Sequence, residues 1–258
     1  AKLQLVPTEK DPLRIVLDKG VHEISESDYF PDSDSDYFSD SDIEDDFIDF
    51  IDDIVREINV TYSHITFVGK GKAQTTIRGG FKVKNQQNVK FEELTVTNPN
   101  GNGLSLRWSE TNVNMLNCVV KECRGSGMWM NDGATVTATQ CEFMENGRDG
   151  VYCQWRDTKA RLNDCTMHHN GKDGLLASNH AVVDLRGTKT AIHSNKWRGI
   201  CALACAKVNV HLPSQHNTSH DNAGDIREGY LVVPSDRVQA HAGSIANIND
   251  DGTFTHVE

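Results

Sequence analysis

The sequence predicts an all-β chain, a right-handed parallel β-helix that forms a single-domain solenoid with coils of about 23–25 residues. Five segments between residues 88 and 206 align with one another, and a glycine marks the same turn in each. Apolar residues also alternate over short runs, as at Leu104 and Leu106, with the period of a strand. One coil cannot bury its inward face, but coils stacked about 4.8 Å apart bury it together.

The coils account for most of the chain. Residues 13–24 and 61–87 are predicted to form the first coils, and 207–258 a degenerate coil with a C-terminal cap, all within one domain spanning 1–258. The five regular coils occupy 88–206, and their turn glycines are Gly103, Gly127, Gly150, Gly174 and Gly199. Gly and Asn lie between the apolar runs, where tight turns need positive φ or a side chain that bonds to the backbone.

Residues 25–60 interrupt the first coils with an acidic insertion. Its part from 26 to 55 holds 13 acidic residues and no Lys or Arg. Apolar residues at intervals of three and four predict an amphipathic helix over about 43–57, which docks on the solenoid or caps its open end.

Three interpretations of the acidic residues stay open: a solvated loop, a phosphorylated loop, and a calcium site. Calcium is the one cofactor that the sequence suggests, because this cation prefers carboxylate oxygens. The candidate ligands are Asp32, Asp34, Asp36, Asp40, Asp42 and Glu44.

Charge and hydropathy narrow the classes of partner. The formal net charge of −11 arises in the insertion, since the rest of the chain has 24 acids against 26 bases. A nearly neutral body without a basic stripe argues against nucleic acid, and no apolar run reaches the length of a membrane-spanning helix. We expect a polysaccharide or protein partner, no nucleic acid, and no membrane span.

The seven cysteines are predicted to be free thiols. Cys118, Cys141 and Cys165 recur at intervals of 23 and 24 residues, which is the coil period, so we expect a stacked internal ladder. Free thiols favour a cytoplasmic location. A chain that begins at Ala1 is equally compatible with removal of a leader, so the location stays open.

Several segments resemble a known group of proteins. The patterns FMENGRDGVY and MHHNGKDGLL, the opening LRIVLDKGVHEI and the later ITFVGKGKAQTTI resemble coils of the right-handed β-helix, pectate-lyase-like superfamily, including its carbohydrate-binding and sugar-hydrolase repeats. The resemblance implies the fold over about 13–225. It leaves activity open, because the superfamily contains lyases, hydrolases, epimerases, adhesion proteins and non-catalytic binding modules.

One row of side chains is the predicted ligand-binding strip. If Leu104 and Leu106 point inward, their neighbours point outward, and the same register holds coil by coil. Sugar rings stack on aromatic faces while their hydroxyls bond to polar groups. The strip residues are Arg107, Trp129, Asn131, Tyr152, Gln154 and Trp155. The alternative is that other segments of the chain cover these aromatic rings.

No complete catalytic motif is present, and the motifs of polygalacturonases, mannuronan epimerases and pectate lyases are lacking. Asp149 and Asp173 are equivalent residues of adjacent coils, close enough to create a general acid. Both lie in an Asn-Gly-x-Asp-Gly turn, where Asp also caps the backbone, which favours a structural role. The catalytic candidates are Asp132, Asp149, Asp173, Arg107, Arg156 and His180.

The sequence thus favours a non-catalytic β-helix module that presents the strip to a carbohydrate or protein partner. A polysaccharide-active lyase, C5-epimerase or hydrolase acting at the same strip is the alternative. A structural role in a larger assembly is also compatible with the sequence.

Overall fold

Each coil of the chain contributes one strand to each of three sheets. The computed structural model describes residues 7–24, 57–211, 219–222, 238–241, 244–248 and 254–256. Within these residues the structure is all β, and its strands pair in parallel except for the last pair of the first sheet. The predicted fold class, a parallel β-solenoid, is confirmed.

Each sheet runs along the solenoid, and its strands hydrogen-bond in the following order. Sheet A contains β1 Leu13–Val16, β4 Ile65–Val68, β7 Val89–Glu92, β10 Asn112–Leu116, β13 Thr135–Thr139, β16 Lys159–Asn163, β19 Val182–Arg186, β22 Lys207–His211, β25 Ser244–Ile248 and β26 Phe254–His256. Sheet B contains β2 Gly20–Glu23, β5 Thr75–Arg78, β8 Thr95–Thr97, β11 Val119–Lys121, β14 Glu142–Met144, β17 Thr166–His168, β20 Ala191–His193 and β23 Ser219–His220. Sheet C contains β3 Glu57–Val60, β6 Gly80–Lys84, β9 Leu104–Arg107, β12 Met128–Asn131, β15 Val151–Gln154, β18 Leu175–Ser178, β21 Ile200–Leu203 and β24 Val238–His241.

The core lies between the three sheets and is built from rows of side chains one coil apart. In sheet C, Leu104 pairs with Met128 and Met128 with Val151, and all three are fully buried. Two phenylalanine rings of sheet A, Phe67 and Phe91, stack with centroids 5.3 Å apart. Such rows bury the apolar face that a single coil would expose to water.

A row of cysteines and a row of asparagines are also buried. Cys118, Cys141 and Cys165 form the predicted ladder, each buried at the turn that precedes a sheet B strand. At the turn that follows sheet B, the side chain of Asn146 donates to Asn170 Oδ1 at 3.0 Å, and that of Asn170 donates to Asn195 Oδ1 at 2.9 Å. The amides satisfy one another inside the solenoid, where an unpaired polar group would be costly.

The structure corrects one predicted boundary. The sequence predicts an insertion that reaches residue 60 and a helix that ends at about residue 57, but Glu57–Val60 is β3, which pairs with β6 in sheet C. Ile58 packs against the core and Val60 is buried in it. These alternate residues place their side chains inward as a strand does, and their burial in the core favours a strand over a helix. The rest of the predicted helix and all six calcium candidates lie outside the described residues.

The part of the chain that the structure describes contains no helix long and apolar enough to cross a membrane.

Candidate functional site

The outer face of sheet C brings five of the six predicted ligand-binding residues together. Along one row, Trp129 pairs with Ser105 and with Tyr152. Along the second row, Asn131 pairs with Arg107, and Gln154 stands on the strand next to Asn131. We call this surface, made of Arg107, Trp129, Asn131, Tyr152 and Gln154, the sheet C strip.

Trp129 is less accessible than the sequence led us to expect. Its side chain is only 8% exposed, and the guanidinium of Arg107 lies 4.5 Å from the centroid of its ring. The cation covers one face of this indole and burial closes the rest of it, so the ring that was expected to bind a sugar is not open to one. Trp129 positions Arg107, whose side chain is half-buried, at the surface of the strip.

Hydrogen bonds connect Tyr152 and Gln154 of the strip, whereas an acceptor atom of Asn131 is unpaired among the described residues. Tyr152 donates its hydroxyl proton to Gln154 Oε1 at 2.6 Å, and Ser178 donates to the Tyr152 oxygen at 3.4 Å. Asn131 is 7% exposed, and among the described residues its Oδ1 has no hydrogen-bond partner. A buried carbonyl oxygen without a donor is unfavourable, so this atom is a candidate acceptor for a ligand hydroxyl or amide.

The strip ends in a charged group that the repeat in the sequence does not reveal. Ser105 donates to Glu57 Oε1 at 3.1 Å. Burial raises the pKa of Glu57, while the bond from Ser105 and the charges of Lys82, Arg107 and Lys84 lower it by less. Glu57 lies one coil period before Gly80, and this spacing could have revealed its strand in the sequence. The acidic insertion just before it obscured the repeat.

The turn after sheet C, which we call the tryptophan corner, carries two exposed indoles. Trp108 is 38% exposed and Trp155, the sixth predicted ligand-binding residue, is 49% exposed. Their φ angles are +74° and +72°, a left-handed conformation that bulky side chains rarely adopt. In this corner, the equivalent residues of the other coils are Asp132, Asn179 and Ala204, also at positive φ.

Three catalytic candidates stand at the tryptophan corner. Asp132, Arg156 and His180 are exposed there, on three successive coils. Trp108, which was not among the predicted site residues, lies beneath the ammonium of Lys84, 5.0 Å from its ring centroid. The repeat in the sequence shows that Trp108 follows the outward-pointing Arg107. It does not show that the indole is exposed.

Asp149 and Asp173 lie at the opposite edge of sheet C, in the turn after sheet B, and each is 1% exposed. Asp149 Oδ1 accepts a hydrogen bond from the backbone N–H of Asp173 at 3.1 Å, and its Oδ2 accepts one from Ser126 at 3.4 Å. Burial, and then the charge of Asp173, raise the pKa of Asp149 to about 6.

Asp173 is held still more firmly. Its Oδ1 accepts hydrogen bonds from the backbone N–H and the Nε of Arg198, both at 2.9 Å, and Arg198 Nη2 lies 2.9 Å from Oδ2. Each aspartate thus caps the backbone of the following coil. A chain bound outside the solenoid would not reach either carboxylate.

Comparison with known proteins agrees with the architecture. A family model described as right-handed β-helix region matches residues 32–163, more than half of the chain. The chain therefore belongs to the right-handed β-helix family. A search of curated proteins finds no match.

One solved structure aligns with most of this chain. It is described as ORF18 of Geobacillus virus E2, with a TM-score of 0.46 and 11% sequence identity. The alignment covers 94% of this chain and 54% of that one, so the chain spans about half the length of that protein.

Proposed function

We propose that the protein is a non-catalytic recognition module that binds a carbohydrate chain along the sheet C strip and the tryptophan corner. The observation that carries the proposal is the pair of exposed indoles, Trp108 and Trp155, beside a row of polar groups. Flat aromatic faces bind sugar rings, and neighbouring polar side chains bind their hydroxyls.

The spacing of the two indoles suits an extended ligand. They occupy equivalent turn positions two coils apart, and coils are stacked about 4.8 Å apart. A polysaccharide that runs parallel to the solenoid axis can place alternate sugars on the two rings. Between them, the coil of Asn131 and Asp132 offers a carboxylate and the Asn131 oxygen, which has no partner in the part of the chain that the structure describes, as hydrogen-bond acceptors.

The backbone conformation of the corner supports a binding role. Left-handed φ at a bulky residue costs about 1–3 kcal/mol and concentrates at functional sites. Asn179 fills the same turn position one coil beyond Trp155, so the turn itself does not require an indole. Two tryptophans at this position are disadvantageous for folding and advantageous for contact with a ligand.

A second candidate function, polysaccharide cleavage or epimerisation at the same strip, has one observation in its favour. Glu57 combines a raised pKa with nearby positive charges from Lys82, Lys84 and Arg107. A carboxyl with a raised pKa is suited to the role of general acid, while neighbouring cations neutralise a uronate. Glu57→Gln would abolish turnover in that case while leaving binding in place.

A polysaccharide and glycan array, including alginate, pectin and neutral β-linked chains, tests the proposal. We expect binding without unsaturated or depolymerised products, and loss of binding in Trp108→Ala and Trp155→Ala. Leu116→Ala is the matched control, because Leu116 is an exposed apolar side chain on sheet A. Product formation would establish the enzyme, and the absence of any glycan signal would direct the search to a protein partner.

A further inference from the structure

A cluster of histidines lies on the outer face of sheet B, away from the sheet C strip. The rings of His168 and His193, which pair between β17 and β20, are stacked with centroids 4.9 Å apart and planes inclined by 6°. His168 Nδ1 lies 2.7 Å from His169 Nδ1, and His168 Nε2 lies 2.8 Å from Glu142 Oε1.

The backbone of the corner after sheet B brings the two neighbouring imidazoles together. In a regular strand, consecutive side chains point to opposite faces. His169 has a φ of +56°, which turns its ring toward the side on which His168 lies. The equivalent pairs of other coils make the same contact: Lys121 with Glu122 at 2.7 Å, and His193 with Ser194 at 3.1 Å.

Glu142 determines which nitrogen of His168 is available. A carboxylate at 2.8 Å accepts the proton of Nε2, which leaves Nδ1 with a lone pair directed at His169. Metal-binding histidines usually have this arrangement, with the second ring nitrogen donating to a carboxylate. Two imidazole nitrogens that face each other at 2.7 Å need a proton or a cation between them.

We propose that His168 and His169 bind one divalent transition-metal ion through their Nδ1 atoms, with Glu142 as a positioning residue. No three His, Cys, Asp or Glu side chains of the described residues form a metal cluster, so water completes the coordination. Metal–nitrogen bonds of about 2 Å require the two Nδ1 atoms to separate to about 3 Å and both lone pairs to point at one ion, so the exposed ring of His169 must swing away from its present contact while His168 stays in place.

The ion takes the place of the proton between the two Nδ1 atoms, and the exposed His169 then carries its proton on Nε2. Imidazole ligands suit Cu²⁺, Ni²⁺ and Zn²⁺, and Cu²⁺ binds such a pair most tightly. His193 is not required as a ligand, since its ring braces His168 by stacking. The site is independent of the carbohydrate proposal, because it lies on a different sheet.

Titration calorimetry of the full chain with CuCl₂ and with ZnCl₂ tests the site. We expect one equivalent of Cu²⁺ with a micromolar Kd, and weaker binding of Zn²⁺. The electron paramagnetic resonance spectrum of the Cu²⁺ complex should show coupling to two nitrogens.

Variants locate the ligands. His168→Ala or His169→Ala should abolish the micromolar site, and Glu142→Gln should weaken it about tenfold. His180→Ala is the matched control, an exposed histidine in a left-handed turn elsewhere, and should bind as the wild type does. Unchanged Tm values show that the variants fold. Micromolar binding that persists without His168 and His169, or binding only at millimolar Cu²⁺, would overturn the proposal.

Discussion

Two turns flank the strands of sheet C, and both recur once in every coil. The side chains of interest are buried in one turn and exposed in the other. The turn before sheet C holds Asp149 and Asp173, buried and hydrogen-bonded to the backbone of the next coil. The tryptophan corner after sheet C holds Trp108 and Trp155, exposed and in a conformation unfavourable for them. Asp149 and Asp173, which suggest chemistry in the sequence, therefore serve the fold, whereas the two tryptophans in left-handed conformation face the solvent.

The turn before sheet C can hold buried aspartates because each one accepts a hydrogen bond from the backbone of the next coil. Asn102 occupies the equivalent position in an earlier coil, and its Oδ1 accepts a hydrogen bond from the N–H of Ser126 at 2.8 Å. A neutral side chain can therefore cap the backbone of the next coil as an aspartate does. The indoles of the tryptophan corner instead present much of their surface to solvent. The difference indicates which substitutions should alter stability and which should alter binding.

The largest loss of stability is expected from substitution in the buried row of Asn146, Asn170 and Asn195, which lies beside the turn before sheet C. Asn170→Ala removes the acceptor for the N–H and side-chain amide of Asn146, and the donor to Phe143 and Asn195. Buried polar groups left unpaired should lower the free energy of unfolding by about 3–5 kcal/mol in urea titrations. Asn163→Ala, which removes one side-chain bond to Thr139, should cost about 0.5 kcal/mol. Equal losses would disprove the role of the buried row.

Asp173→Asn is expected to lower the free energy of unfolding by about 3 kcal/mol. The substitution removes the buried negative charge that pairs with the guanidinium of Arg198. Chemical denaturation at pH 7 measures the loss. Stability equal to that of the wild type would show that the ion pair contributes nothing to the turn.

Asp149→Asn, in contrast, should raise the free energy of unfolding. The folded state keeps the proton of Asp149 up to about pH 6, whereas the unfolded chain releases it near 3.8, so stability falls as pH rises between these values. Asparagine keeps the bond from Asp173 without the charge, and should stabilise the protein by about 2–3 kcal/mol above pH 6. Denaturation at several pH values checks this. A variant with no gain above pH 6 would contradict the raised pKa.

A smaller change in stability than at either aspartate is expected at the tryptophan corner. Trp108→Asn and Trp155→Asn should each stabilise the fold by about 1 kcal/mol, because asparagine tolerates left-handed φ better than an indole does. Thermal unfolding measures the gain. A clear loss of stability in either variant would mean that the indole supports the fold, and the binding proposal would lose its main support.

The register of the solenoid could be predicted from the repeat, whereas accessibility could not. Gly150 and Gly174, one coil apart, placed Asp149 over Asp173, and the outward row of Ser105, Trp129 and Tyr152 followed from alternation. Burial of Trp129 depends on the direction in which Arg107 turns, which the repeat does not encode.

Two further features were missed for local reasons. Glu57 belongs to a strand that the insertion separates from the rest of its coil, so the alignment of repeats did not include it. The contact between His168 and His169 depends on one left-handed residue, because alternation alone would place the two side chains on opposite faces. An interrupted coil hides the first feature, and backbone geometry at a corner hides the second.

The most direct test of the recognition surface compares three proteins on the polysaccharide array: the wild type, the double variant Trp108→Asn with Trp155→Asn, and Asp149→Asn. We predict that the double variant loses binding at an unchanged or higher Tm, while Asp149→Asn binds as the wild type does. Binding that survives in the double variant and disappears in Asp149→Asn would contradict the account, since it would place the site at the turn before sheet C.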